Sequence, residues 1–389
     1  MTEDHDTEIV AAAIRLAPAA RAARAEAEQM RQTPPALAAE ITKAGIYQMY
    51  FPRSMGGPET PPLTAFRVVE ELSKADGSVG WCAMIGTALS MNVARLPIEV
   101  GREMAGDPAD YRGAGSARPG GHAWPVPGGF RVKGRWNFAS GIQNARWLYA
   151  TCVEMDGDAP RVGPSGAPVL RALWVPRAEV TIVDTWSVMG MRGTGSQDFT
   201  VDDVFVPEHR SVASDAPPTQ KTPLYHPRTR FVFLWTPSAA NALGVARGAI
   251  DALTEIATTE ASTLNPNLLR DRSAVQTKLG EAEAIVNAAR AYVFDAVGSL
   301  WATLTAGEEP TDRQVAQGRL ALVHAMHESA RAVDKVFHAA GTNAIYTRLP
   351  LERAFRDVHV AIQHGAALPL YFESAGKVLL GLKPGDPGW

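Results

Sequence analysis

The sequence predicts an α+β protein in three successive parts: helices, a small β domain, and a bundle of long helices. Three observations carry this. Helix-start signals and helical spacing run from about Glu8 to Met104. Short β-branched and aromatic segments, separated by Gly and Pro, run from Tyr111 to about Ala216. From Arg228 onward, long stretches again repeat their apolar residues at helical spacing. The expected domains are residues 1–110, 111–225 and 226–389.

In the first part, an Ala/Arg/Glu-rich stretch to Gln32 favours helix by composition, and Pro34-Pro35 starts a second helix, PALAAEITKAGI. FPRSMGGPE reads as a loop. Pro61-Pro62 then opens a helix with Phe66, Val69 and Leu72 on one face, which Gly77-Ser78 breaks ahead of a helix around Trp81. The uncharged run Val79 to Ala94 contains Gly, Ser and Asn and is shorter than the roughly 20 residues a bilayer requires, so it reads as a buried helix. In the second part GGFRVKGRWNFAS, ARWLYATCVEM, VLRALWVP, EVTIVDTW and DFTVDDVFV have strand character. In the third, Val275 to Ala302 places Leu279, Ala282, Ile285, Val286, Ala289, Val293, Ala296 and Leu300 on one face. A further helix covers Thr311 to Ala340, and the Gly341-Thr342 break precedes a last pair ending near Leu382.

Composition narrows the function. The chain has 389 residues, 46% of them hydrophobic and 20% charged, which suits a globular enzyme. A net charge of -3 with no Lys/Arg-rich run gives no footprint for nucleic acid and no patch for an anionic membrane. Partners are therefore expected to be small molecules or copies of the chain itself. Cys82 and Cys152 sit in apolar surroundings and read as buried thiols in a reducing compartment. With an acidic, polar N-terminus unlike a secretory signal, this predicts a cytoplasmic protein. No Glu-x-x-His, His-Glu-x-x-His or Gly-x-Ser-x-Gly pattern occurs, so metal and serine-hydrolase chemistry is not expected.

The stretch Trp186 to Arg210, WSVMGMRGTGSQDFTVDDVFVPEHR, joins a Gly-rich loop to a strand. Gly190, Gly193 and Gly195 let backbone approach a flat or anionic ligand, while Arg192, Thr194 and Ser196 supply donors. A plain turn would look similar, and the dinucleotide fingerprint is not matched because a strand follows the glycines. Trp136-Asn137-Phe138-Ala139-Ser140-Gly141 ends a strand on a small hydroxyl, which suits either a ligand contact or a local turn bond. In RLPLERAFRDVHVAIQH, helical spacing puts Arg353, Asp357 and His364 on one face; His364 could be catalytic or structural.

Taken together these segments resemble the acyl-CoA dehydrogenase superfamily from Gly45 to the GLKPGDPGW end, and MRGTGSQ with DVFVPEHR is most similar to its two-component flavin-dependent monooxygenase branch, of the seco-steroid hydroxylase and dibenzothiophene monooxygenase type. The resemblance implies the acyl-CoA dehydrogenase-like fold: an N-terminal helical domain, a middle β-barrel or sandwich domain and a C-terminal four-helix bundle. It also implies reduced FMN or FAD delivered by a separate NAD(P)H:flavin reductase, use of O2 through a flavin C4a-hydroperoxide, and hydroxylation of an aromatic, polycyclic or polyketide-type substrate. In that scheme Phe138 lies near the isoalloxazine ring and Ser140 bonds flavin N5, while His364 faces the reacting oxygen. Ser116, Trp186, Arg192, Thr194, Gly195 and Ser196 complete the cofactor site. Arg272, Gln276, Gly341 and Thr342 serve a neighbouring subunit's flavin, which implies a homotetramer.

Trp81, Met84, Leu89 and Met91 would wall the substrate cavity, although core packing explains the last three equally well. Two departures matter. The dehydrogenases carry a Glu base one position beyond His364, and phenol-hydroxylating relatives carry a His near Leu89; this chain has neither. The alternatives are an acyl-CoA dehydrogenase or oxidase with its base elsewhere, and a non-catalytic carrier of flavin or an apolar ligand.

Overall fold

The computed structural model describes residues 2–106, 110–259, 261–262 and 265–385. The last four residues of the GLKPGDPGW end, and residues 107–109 beside the expected first boundary, lie outside them. Six helices come first: α1 (Thr2–Ala22), α2 (Arg24–Met30), α3 (Pro35–Lys43), α4 (Pro62–Ala75), α5 (Gly77–Asn92) and α6 (Ile98–Ala105). Pro35 and Pro62 open α3 and α4, where a missing N–H costs nothing. Asp76 separates α4 from α5: it is extended, and its carboxylate caps α5 by accepting from the Val79 N–H at 2.9 Å. The uncharged run is buried on nearly every side.

The middle of the chain forms β1 (Gly113–Val126), β2 (Gly129–Ala139), β3 (Trp147–Asp156), β4 (Ala159–Pro160), β5 (Leu170–Pro176), β6 (Thr181–Val183), β7 (Gln197–Pro207) and β8 (Ser211–Ala213). They make one sheet in the order β6-β7-β2-β1-β3-β5-β8, with β4 added to β3; β1 and β3 run parallel and the other pairs antiparallel. The central strand β1 was not among the segments read as strand, because its GAGSARPGGHAWPV sequence carries the residues that usually end strands. The register against β3 shifts between Ser116 and Gly121, and at Gly121 a Cβ would fall 2.4 Å from the Trp136 ring. A large β2 residue takes the place of β1 side chains.

Five helices follow: α7 (Arg230–Thr259), α8 (Ser273–Thr305), α9 (Asp312–Ala340), α10 (Pro350–Ala361) and α11 (Leu370–Leu379). A small ribbon of β9 (Ala261–Ser262) and β10 (Asn265–Leu268), absent from the sequence reading, joins α7 to α8. The expected α8 face is inside: Ala282, Val286, Ala289, Val293, Ala296 and Leu300 are buried. Thr311 and Gln314 form a reciprocal capping box at the start of α9. One apolar core runs through both sets of helices, a second lies in the sheet, and a third packs Leu89 of α5 and Val100 and Met104 of α6 against Trp147, Tyr149 and Trp174 of the sheet. No helix among the described residues is long and apolar enough to cross a membrane.

Candidate flavin and substrate cavity

The loop from Trp186 to Ser196 is fixed by bonds at both ends. Gln197 Oε1 accepts the N–H groups of Thr185 and Trp186 at 2.7 and 2.8 Å. The Met191 carbonyl accepts from Trp186 Nε1 at 3.1 Å and Thr194 Oγ1 at 2.8 Å. From outside, α10 pins the same turn. Asp357 Oδ1 accepts the Met191 N–H at 2.5 Å, and Arg356 donates to the Met189 carbonyl at 2.6 Å. Burial and the nearby Asp76 charge push the Asp357 carboxyl up to about 7. Arg353 and Arg356 both hold Glu28 of α2, at 3.0 and 2.8 Å. The Arg-Asp motif thus positions the loop rather than facing a ligand.

Phe138 reaches the same space through a bulge. β2 and β7 slip register between Trp136 and Ala139, and Phe138 sits at φ 64° with 54% of its surface exposed. A positive φ is strained for an aromatic residue, and a bulge beside a site re-aims one side chain, here onto the cavity beside the edge of Trp186 at 6.2 Å.

A cavity of about 600 Å³ lies between α5, the sheet, this loop, the start of α7 and the end of α10. Trp81, Leu89, Ser116, Phe138, Ser140, Trp186, Thr194, Ser196 and His364 all border it, residues spread over almost 300 positions of sequence. Other expected residues do not. Met84 and Met91 are buried in the helical core, because α5 turns Trp81, Ile85, Ala88, Leu89 and Asn92 to the cavity and the methionines away. Arg192 is exposed and bonds the Val188 carbonyl at 3.0 Å. Gly195, at φ 53°, backs onto Gln143 and the Arg31 carbonyl. Arg272 at the start of α8, Gln276, and the turn holding Gly341 and Thr342 do not border the cavity.

His364 requires a correction. It was placed on the helix with Arg353 and Asp357, but α10 ends at Ala361 and His364 caps the following short turn, its Nδ1 accepting the Ala366 N–H at 3.3 Å. Its ring is edge-on to Trp81 at 5.2 Å and to Trp235 at 5.0 Å. The surface it retains faces the cavity, and burial pushes its pKa down to about 4. With Nδ1 occupied as an acceptor, the neutral ring carries its proton on Nε2. It is a hydrogen-bond donor.

A chain of hydroxyls crosses the wall opposite. Trp81 Nε1 donates to Ser140 Oγ at 3.1 Å, Ser140 and Ser196 are 2.6 Å apart, and Ser196 and Thr194 are 2.7 Å apart. Thr194 spends its proton on the Met191 carbonyl, so Ser196 must donate to Thr194 and Ser140 to Ser196. The Thr194 end sets the direction, and the Trp81 N–H fills one acceptor position of Ser140. Ser140 Oγ therefore has no proton left for a ligand but keeps one acceptor position at the cavity. Trp235, Leu234, Phe231 and Arg230 of α7, together with Tyr149 of β3, also line the space; sequence reasoning missed them because each looks like ordinary helix or strand.

Comparison with known proteins identifies the family. Residues 4–98 match the acyl-CoA dehydrogenase N-terminal domain family and residues 237–369 the acyl-CoA dehydrogenase C-terminal domain family. The chain is 31% identical to an indole-3-acetate monooxygenase of Pseudomonas putida over 340 residues, 87% of this chain and 85% of that protein. It is 28% identical to the flavin-dependent monooxygenase oxygenase subunit HsaA of Mycobacterium tuberculosis, over 99% of this chain and 98% of the other. Among solved structures, XiaF from a Streptomyces species, in complex with FADH2 and glycerol, superposes with a TM-score of 0.90 at 25% identity, covering 100% of this chain and 98% of that one. The fold, the length of the match and the identities together place this chain in the acyl-CoA dehydrogenase superfamily, within its branch of flavin-dependent monooxygenase oxygenase components.

Proposed function

We propose that the cavity holds a reduced flavin, FMN or FAD supplied by a separate reductase, beside an aromatic or polycyclic substrate that receives one oxygen atom from O2. The observation that carries this is the one-way hydroxyl chain. Reduced flavin has an N–H at N5 where oxidised flavin has only an acceptor, so the open acceptor of Ser140 matches the reduced form. Phe138, held against its backbone preference, offers a flat face to the ring system, and Ser116, Trp186, Thr194 and Ser196 line the same stretch. When bound, the flavin activates O2; the protein supplies binding, orientation and a water-poor space.

The residues divide the remaining work. Ser140 Oγ holds the N5 proton in place, so that it is not lost to solvent while oxygen is being delivered. His364 donates from Nε2 to the oxygen that is transferred or to a substrate oxygen. Among the described residues no Asp or Glu borders the cavity, which disfavours removal of an acyl-CoA α-proton by a carboxylate.

Ser140→Ala is expected to raise H2O2 release at the expense of product while substrate still binds. Thr194→Val removes the hydroxyl that sets the order, frees the Ser140 proton for a ligand, and should shrink the preference for reduced over oxidised flavin. Both are read by supplying reductase, NADH and O2 and measuring peroxide and a mass gain of one oxygen. Wild-type coupling in both variants would sink the reading, as would bleaching of bound oxidised flavin by an acyl-CoA.

Arg272, Gln276, Gly341 and Thr342 fit a composite site in a closed homotetramer, since they lie off the cavity of their own chain. Flavin affinity should then fall on dilution. A monomer by light scattering that still binds reduced flavin at full strength would overturn the assembly.

A further inference from the structure

One end of the cavity differs from the rest. Trp81 and His364 mark the reactive end, but Arg95 and Arg230 also border the space. Arg95 lies fourteen residues beyond Trp81, about 21 Å along α5 and the short turn after it. Only 4% of it is exposed, and it is held by the carbonyls of Ala213 at 2.5 Å and Ala216 at 3.2 Å. Arg230 is the first residue of α7, where the helix dipole adds to the positive field.

Neither arginine forms an ion pair among the described residues. Burial and the neighbouring Arg95 charge both hold the Arg230 guanidinium below its ordinary value, so the two cations feel each other without a carboxylate between them. Between the two carbonyls that grip Arg95 lies Ser214. It borders the same cavity, and its buried hydroxyl has no hydrogen-bond partner. Apart from the exposed Arg118, which also borders the cavity, these two like charges and the unspent hydroxyl beside a mainly apolar space are costly to fold unless an anion completes them. The apolar side chains of Leu89, Phe231 and Leu234 line the space as well.

We propose that Arg95, Arg230 and Ser214 form a carboxylate-binding pole, and that the substrate is an aromatic acid whose ring lies toward His364 while its carboxylate is held at the start of α7. This rests on the oxygenase reading for calling the cavity a substrate site. The phosphate of FMN carries the same oxyanion chemistry, so the test separates the two sources.

Isothermal titration calorimetry of the full chain, which needs no turnover, compares naphthylacetate with naphthylacetamide, and FMN with riboflavin. Wild type should bind the acid about tenfold or more tightly than the amide, as expected for a charged hydrogen-bonded contact. Arg230→Gln should bring the two to parity. Arg230→Lys should keep part of the preference, and the ratio of FMN to riboflavin affinity should stay unchanged throughout. Ser214→Ala, which leaves both arginines in place, gives a milder loss in the same direction if Arg230→Gln folds poorly. Equal binding of acid and amide by wild type overturns the proposal. So does an Arg230→Gln variant that loses affinity for FMN but not for riboflavin, which would assign the pole to the cofactor. Loss of oxygenation with the acid preference intact would instead count against the proposed function alone.

Discussion

His364→Ala is expected to lower product formation about 100- to 1,000-fold, on the order of 2–4 kcal/mol of barrier, with flavin binding little changed. The size follows from removing one aimed donor in a space that excludes water. A donor, not a base, is at stake. The ring is neutral above about pH 4, and its Nδ1 is occupied by the Ala366 N–H, leaving Nε2–H to act. The sign in pH follows. His364 should add no pH dependence to turnover as pH falls from 8 toward 5, because its protonation sets in only near the depressed value. His364→Gln, which keeps an N–H donor of similar reach, should recover part of the loss. An acid limb near pH 6.5 in wild type that disappears in His364→Ala would show a titrating base and overturn the donor assignment.

The second large effect is expected far from any reacting atom. In Gly190→Ala the new Cβ would fall 2.3 Å from the Arg356 carbonyl oxygen and 3.0 Å from the Asp357 nitrogen, both backbone atoms that cannot rotate away. The loop must lift off α10, which breaks the Asp357 bond to Met191 and the Arg356 bond to Met189. Overpacking together with a stranded buried N–H should cost about 3 kcal/mol or more. Thermal unfolding should move several degrees lower, and flavin affinity should drop with it, because Met191 also anchors Trp186 and Thr194. Gly280→Ala is the control: it lies on the exposed side of α8 with nothing within 4 Å of its Cβ, so it should be neutral or slightly stabilising. Equal melting temperatures for the two variants would mean that the loop is not held by close packing on α10.

The sequence alone determined what depends on local order. Proline at helix starts, the apolar face of α8 and the alternating strands are set by a few neighbouring residues and read correctly from the chain, whereas the break expected at Gly77-Ser78 falls at Asp76, with Gly77 and Ser78 already inside α5. The hydroxyl at Ser140 and the Gly-rich loop were legible for the same reason: their residue types are unusual where they stand.

What tertiary structure decided was direction and company. Strand β1 became central despite its glycines and prolines, because Trp136 fills the room that its side chains would need. A bulge turned Phe138 outward, and the end of α10 at Ala361 moved His364 off the helical face that spacing had assigned it. The turn of α5 separated Leu89 from Met84 and Met91, which no count of apolar residues could do on a helix buried all round. Most of all, the proton order along Trp81, Ser140, Ser196 and Thr194, and the meeting of Arg95 with Arg230, involve residues brought together by packing across the fold. Hydrogen-bond direction and unpaired charge are properties of neighbours in space, and only the folded chain supplies those neighbours.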